Sequence, residues 1–92
     1  MAYDIELSED ALEDIRRLKK NGEKNALKKI QSLISELEIH PTTGTGKPEQ
    51  LRGSLSGKWS RRITDKHRLI YEIHQEKIIV IVLSAYGHYD DK

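Results

Sequence analysis

The chain has 92 residues, of which 36% are hydrophobic and 34% charged, with a formal net charge of +1 and no cysteine. This length fits one small domain, assigned to residues 1–92, and the lack of cysteine excludes disulfides and thiolate metal sites. No apolar run approaches the roughly 20 residues that span a bilayer, and no secretory signal is visible, so we expect a cytoplasmic protein with no membrane partner.

The first half of the chain has the pattern of a short strand followed by two helices. Alternating apolar residues predict a strand over residues 2–7. Ser8 is a typical N-cap for a helix, and this helix is expected to end at Asn21, which tolerates left-handed backbone and precedes a glycine. Apolar residues at helical spacing predict a second helix over about residues 23–38, which ends before Pro41.

The second half has the pattern of a sheet. After a loop over residues 41–48, alternation of side chains predicts strands over residues 58–64 and 68–74. Residues 78–85 are almost entirely apolar, which predicts a central strand buried on both faces. The order β-α-α-β-β-β indicates an α+β fold, an antiparallel sheet with two helices packed on one face.

Positive charge is concentrated in one segment. Residues 46–74 contain seven basic and three acidic side chains, a local charge of +4, whereas residues 1–46 and 75–92 carry −2 and −1. A concentrated patch of this kind attracts a polyanion. Within it Glu49 is a poor phosphate ligand but a usable proton acceptor. The combination indicates phosphodiester chemistry rather than simple nucleic-acid binding.

Cutting an RNA phosphodiester without a metal requires a base for the 2′-hydroxyl, cations for the phosphorane and an acid for the leaving 5′-oxygen. The residues alone leave alternatives open. Glu49 could be a surface carboxylate paired with Arg52, and Arg68 could be an ordinary cation at the start of a strand. Arg61 and Arg62 alternate across a strand, so at most one of them easily faces a given ligand.

His88 stands out among the four histidines, although each of them, by number alone, is more often structural. It follows the apolar strand near the chain end, where it can reach a cleft, and histidine titrates near neutral pH. The flanking Tyr86 and Tyr89 could stack on bases or close the core. The histidines have no metal-ligand spacing, and we expect neither a metal nor another cofactor.

These segments resemble a known family. The sequence GKPE, a basic residue three positions later, LSGxWSRRI, HRLIY and a near-terminal HY are similar to the YoeB branch, also called Txe, of the RelE-type bacterial toxins. The resemblance covers most of the chain and is dense over residues 44–89. It implies the compact RelE-like fold and a ribosome-dependent mRNA endoribonuclease that a cognate antitoxin holds inactive.

The resemblance also implies a role for individual residues. Glu49 matches the general base of the family, Arg68 its phosphate-stabilising arginine and His88 its general acid. Tyr89 matches a tyrosine that contacts the RNA, and Arg62 matches a second arginine near the scissile phosphate.

The rest of the basic segment is assigned to RNA contacts. Arg52 stands where the family commonly has a lysine, and Lys47 and Arg61 are expected to contact RNA within the basic patch. The chain departs from the family at residues 90–92, which follow the HY pair and add two acids, and at Tyr86, where a basic residue is common.

We therefore expect a toxin that cleaves mRNA in the ribosomal A site and inhibits translation. Its expected partners are the ribosome, mRNA and a small, acidic, partly disordered antitoxin, and a homodimer is left open. The alternative is a non-catalytic basic module, a decayed toxin that binds nucleic acid or antitoxin as a corepressor. Glu49 discriminates between the two, because a pure phosphate binder gains nothing from an acid there. A third possibility, a domain that docks a peptide on its helices, has no independent support in the sequence.

Overall fold

The computed structural model of the chain describes residues 3–74 and 79–84. Its elements run in the order β1 (Asp4–Leu7), α1 (Glu9–Lys20), α2 (Lys24–Leu37), β2 (Glu49–Gln50), a 3₁₀ turn (Gly53–Leu55), β3 (Trp59–Arg62), β4 (Arg68–His74) and β5 (Ile79–Ser84). The predicted α+β fold is confirmed. The predicted helices and strands are present with ends that differ by at most two residues.

The five strands form one sheet in the order β1-β5-β4-β3-β2. The last four strands pair antiparallel, as predicted, but β1 pairs in parallel with β5, so the sheet is not antiparallel throughout. Alternation identifies a strand but not its neighbour, which is why the sequence did not reveal this pairing. The apolar strand β5 does lie inside the sheet, between β1 and β4.

Local signals explain where the helices begin and end. The side chain of Ser8 accepts a hydrogen bond from the N–H of Ala11 at 3.0 Å, which caps α1 as predicted. Gly22 then takes a left-handed φ of 72°, which a residue with a side chain rarely adopts. The chain reverses there and enters α2.

The hydrophobic core lies between the two helices and one face of the sheet. Among the residues whose burial the structure describes, this core contains Ala11, Leu18, Ala26, Ile30, Leu33, Leu37, Ile63, Leu69 and Tyr71. Trp59 is partly buried and packs against this cluster. The side chains on the opposite face of β2, β3 and β4 do not belong to this cluster. Within the described residues, no helix has the length and apolar character needed to cross a membrane.

Candidate active site

Glu49, Arg62 and Arg68 lie on the same face of the sheet. Glu49 pairs with Ser60 across β2 and β3, and Arg62 pairs with Arg68 across β3 and β4. Directly paired residues share a face, and so do alternate residues along one strand. The carboxylate and the two guanidinium groups therefore project from one side, opposite to the face that packs on the helices.

The carboxylate and the arginines stand apart on this face, which also carries the buried residues Ser60 and Ile70. Strands lie about 4.8 Å apart, so β2 and β4, which bear Glu49 and Arg68, are separated laterally by roughly 10 Å. Glu49 and Arg62 are diagonal neighbours, at roughly 7–8 Å. Both are exposed, and neither side chain has a hydrogen bond or ion pair among the described residues. The pairing of Glu49 with Arg52 that we considered from the sequence is likewise not present there.

The turn before β4 holds Arg68 in place. Its Nη1 donates to the carbonyl of Thr64 at 3.2 Å and lies 3.5 Å from the carbonyl of His67. The Thr64 hydroxyl accepts hydrogen bonds from the N–H groups of Lys66 and His67 at 3.2 and 3.3 Å, which orders the turn. Within the described part of the chain, the other guanidinium nitrogens of Arg68 have no acceptor. The group is thus fixed at one nitrogen and leaves two for a ligand.

Arg61 does not belong to this face, and its assignment to RNA contact is corrected. The residue is 0% exposed and lies on the helix side of β3. Its guanidinium donates to Glu36 at 2.7 Å and to the Tyr71 hydroxyl at 3.2 Å, with further bonds to backbone carbonyls. The alternation of Arg61 and Arg62 correctly indicated that one of them would face away from a ligand.

Lys47 and Arg52 flank β2 at the edge of the sheet. Both are exposed. Lys47 has a left-handed φ of 53° in the turn that enters β2. Arg52 follows Leu51, whose N–H donates to the carbonyl of Lys58 at 2.9 Å and ends the pairing of β2 with β3. Two cations therefore stand on either side of the strand that holds Glu49, which agrees with the basic patch inferred from the sequence.

A chain of charged groups that the sequence did not single out lies on the same face. Lys58 Nζ is 3.5 Å from a carboxylate oxygen of Glu72, and the other oxygen is 2.9 Å from His74 Nε2. The hydrogen bond with His74, aided by Lys58, lowers the pKa of Glu72 below its ordinary value. Glu72 and His74 alternate along β4 from Arg68, a signal that strand parity alone could have given. Lys58 is thus paired with a carboxylate of the fold.

His88 and Tyr89, the remaining site residues expected from the sequence, lie outside the described residues. Among those that the structure does describe, no three histidine or carboxylate side chains are grouped closely enough to hold a metal ion. The described part of the site is thus one exposed carboxylate facing two arginines, with further cations at the sheet edge.

Comparison with known proteins gives a consistent match. A sequence model described as the YoeB-like toxin of bacterial type II toxin–antitoxin systems matches residues 7–89. Toxin YoeB of Mycobacterium bovis is 44% identical over 68 residues, which cover 74% of this chain and 78% of that protein. Toxin YoeB of Escherichia coli is 45% identical over 58 residues, covering 63% and 69%.

Solved structures share the whole fold. A YoeB/ParE toxin from Agrobacterium tumefaciens superposes with a TM-score of 0.85 at 30% identity, covering 94% of this chain and 99% of that one. A YoeB dimer from Staphylococcus aureus gives 0.82 at 33% identity, covering 97% and 100%. The toxin in a heterotetrameric YoeB–YefM toxin–antitoxin complex from the same organism gives 0.79 at 33% identity, with the same coverage.

Proposed function

The chain belongs to the family of YoeB-like toxins of bacterial type II toxin–antitoxin systems, and on that premise we propose that it is a ribosome-dependent, metal-independent endoribonuclease. It cleaves mRNA in the ribosomal A site by attack of a 2′-hydroxyl on the adjacent phosphate. The observation that carries this proposal is the open sheet face, on which an exposed carboxylate, Glu49, stands with Arg62 and Arg68.

The separation of the groups suits the chemistry. A carboxylate already paired with an arginine would be a weak base, whereas Glu49 has no partner among the described residues. β2 and β4 lie on either side of β3, roughly 10 Å apart, and this separation is wide enough for a nucleotide to lie across the face of the sheet. Glu49 takes the 2′-hydroxyl proton, and Arg68 stabilises the charge that develops on the phosphorane. Arg62, beside Arg68, supplies a second cation.

His88 completes the proposed mechanism as the acid that protonates the leaving 5′-oxygen. Ser84, at the end of β5, pairs with Ile70, two residues from Arg68 in β4. Four further residues extend at most about 14 Å, so the length of the chain allows His88 to reach the phosphate. Imidazole is suited to this role because it titrates near neutral pH.

The remaining cations and Tyr89 bind RNA in this proposal. Lys47 and Arg52 are exposed at the edge strand and can follow the RNA backbone. Tyr89 is assigned to a contact with RNA, for which an aromatic ring offers stacking on a base. A protein with so few contacts of its own gains position and affinity from the ribosome, which holds the mRNA substrate in one geometry.

We further propose that a cognate antitoxin masks the open face. The toxin–antitoxin complex of the similar S. aureus protein supports such a partner, and the S. aureus dimer supports a homodimer of the free toxin. An acidic, extended segment would neutralise Arg62 and Arg68 and cover Glu49 at the same time. Binding of the antitoxin and cleavage of RNA then exclude each other.

The test uses purified protein, translating ribosomes and a defined mRNA, with the cut ends mapped. We expect a 2′,3′-cyclic or 3′-phosphate together with a 5′-hydroxyl, and no cut where the scissile nucleotide is 2′-deoxy. Glu49→Gln should lower the rate on the order of 10²–10⁴-fold, and Arg68→Ala on the order of 10²–10³-fold. Lys24→Ala, an exposed cation of α2, is the control and should cut normally.

Two results would refute the mechanism: equal cleavage of the deoxy substrate, or a product with a 5′-phosphate. If the protein binds ribosomes and antitoxin but never cuts, it is the non-catalytic binding module instead.

A further inference from the structure

The guanidinium group of Arg61 uses all of its hydrogen-bond donors inside the protein. Its Nε donates to the Tyr71 hydroxyl at 3.2 Å. One terminal nitrogen donates to Glu36 at 2.7 Å and to the carbonyl of Thr45 at 3.3 Å. The other donates to the carbonyls of His40 and Thr43, the latter at 2.7 Å. A guanidinium has five N–H donors, so none is left for a ligand. We call this group of contacts the Arg61 hub.

Three of the five acceptors of the hub belong to one loop. Three of the bonds from Arg61 end on loop carbonyls between residues 40 and 45. The Tyr71 hydroxyl adds a fourth by donating to the carbonyl of Pro41 at 2.7 Å. Glu36 accepts from the N–H of Thr45 at 2.8 Å as well as from its hydroxyl. The loop is therefore wound around a buried cation, with its carbonyl oxygens turned inward.

The wound loop leads directly to Glu49. Its last anchor is Gly46, whose carbonyl accepts from the N–H of Arg62 at 2.6 Å. Glu49 follows three residues later, in a strand of only two residues. Since the Glu49 side chain has no hydrogen bond or ion pair among the described residues, its position is set mainly by the backbone. A two-residue strand has too few ladder bonds to fix itself, so the anchors on either side of it decide where it lies.

We propose that Arg61 is a positioning residue for the reaction: through the hub it fixes the loop that places Glu49 opposite Arg62 and Arg68. This inference rests on the proposed function, because Glu49 is the base only in that mechanism. Arg61 touches no substrate. Its effect on the rate comes from the register and reach of β2.

The two adjacent arginines of β3 thus have different roles. Arg62 presents its guanidinium to the open face, while Arg61 turns the opposite way and holds the loop that brings the carboxylate to that face. A displacement of about 1 Å at a reacting group can lower a rate by as much as 10²-fold. Loosening the hub should therefore slow the chemical step even if the protein stays folded and still binds ribosomes.

The experiment uses two mild variants and a matched control. Tyr71→Phe deletes the hydroxyl that accepts from Arg61 and donates to Pro41. Arg61→Lys keeps the charge but lacks the planar fork that reaches several carbonyls at once. Ile30→Val removes one methylene from a buried residue of α2 that takes no part in the hydrogen bonds of the hub, and it serves as the destabilised control.

The first readout is amide hydrogen exchange, which does not depend on activity. The N–H groups of Arg62 and Leu51 donate to the carbonyls of Gly46 and Lys58, on either side of β2. The quantity compared is the ratio of the exchange rate of each of these two amides to the exchange rates of amides within β4. In Tyr71→Phe this ratio should rise for both amides, whereas in Ile30→Val it should stay as in the wild type. Equal ratios in the two variants would overturn the proposal.

The second readout is single-turnover cleavage of ribosome-bound mRNA. Tyr71→Phe and Arg61→Lys should lower the rate at saturating ribosomes on the order of 10- to 10²-fold, with the half-saturating concentration changed by less than about twofold. If the cleavage rates of Tyr71→Phe and Arg61→Lys, corrected for the fraction of folded protein, equal that of Ile30→Val, then Arg61 has only a structural role. If the wild type itself does not cut, the proposed function fails, and the exchange measurement alone decides whether the hub positions β2.

Discussion

Removal of Glu36 is expected to destabilise the fold strongly. Glu36→Ala deletes the counter-charge of a guanidinium that is 0% exposed. Arginine cannot lose its proton in a protein, so the charge remains in the interior. The same substitution deletes two hydrogen bonds to Thr45.

The size of the effect follows from the contacts that remain. Breaking a buried ion pair at one partner costs about 3–5 kcal/mol. Arg61 keeps its carbonyl acceptors and the Tyr71 hydroxyl, and the Glu36 side chain is 29% exposed, which points to the lower end, about 3 kcal/mol. A domain of this length has a total stability of about 5–14 kcal/mol. The melting temperature should fall by roughly 12–24 °C.

Urea unfolding followed by circular dichroism measures the loss directly. At about 1 kcal/mol per molar urea, the midpoint should fall by roughly 3 M. Glu36→Gln retains one acceptor oxygen but replaces the other with an amide NH2 and removes the charge, and it should lose about 1–2 kcal/mol. Glu38→Gln, an exposed neighbour just beyond α2, is the matched control and should unfold like the wild type.

The pH dependence gives an independent check. Hydrogen bonding from the Thr45 hydroxyl, together with the Thr45 N–H and Arg61, holds the pKa of Glu36 below its ordinary value of 4.5. A lowered pKa means that the stabilisation is complete above about pH 4.5 and disappears as the pH falls through the lowered value. The stability gap between the wild type and Glu36→Gln should therefore shrink below pH 4.5. A gap below 0.5 kcal/mol at pH 7 would refute the reasoning.

Three further substitutions test the fold and the open face. Gly44→Ala should lower the free energy of unfolding in urea by about 3 kcal/mol, because φ is +115° and the new Cβ would lie 2.3 Å from a carboxylate oxygen of Glu36. Gly22→Ala, where φ is +72° and the space around the new Cβ is open, should lower it by about 1–2 kcal/mol. Equal losses in the two variants would contradict this account. Ser8→Ala should lose about 1 kcal/mol with its cap, and an unchanged melting temperature would argue against it. Arg62→Glu should lower the affinity for the antitoxin, as measured by calorimetry, whereas the control Lys24→Glu should leave it unchanged. An unchanged affinity of Arg62→Glu would indicate that the antitoxin binds away from the open face.

The sequence was sufficient for most of the fold because the signals for each element are local. Helical spacing, the Ser8 cap and the alternation in β3 and β4 depend on neighbouring residues. The pairing of β1 with β5 depends on a partner far along the chain, and β2, with only two residues, is too short to show a period. Neither feature leaves a local trace.

The site was predictable only in part for a different reason. The alternation along β3 showed that Arg61 and Arg62 face opposite sides of the sheet, but not which of them is buried. An arginine is rarely buried without a partner, and the sequence does not identify the partner. The partners of Arg61 lie 10 to 25 positions away in the sequence. The roles of Glu49 and Arg68 came from the family resemblance, and their common face came from the register of the strands.

The parallel pairing of the first and last described strands has a consequence for synthesis of the protein. Asp4 pairs with Ile79, so the pairing of β1 with β5 closes a loop of roughly 75 residues. The chain loses the conformational entropy of this loop before the pairing of the strands contributes any stabilisation. A nascent chain that has emerged only as far as β4 lacks the strand that joins β1 to the rest of the sheet. The five-stranded sheet that carries Glu49, Arg62 and Arg68 can therefore be complete only after β5 has been synthesised.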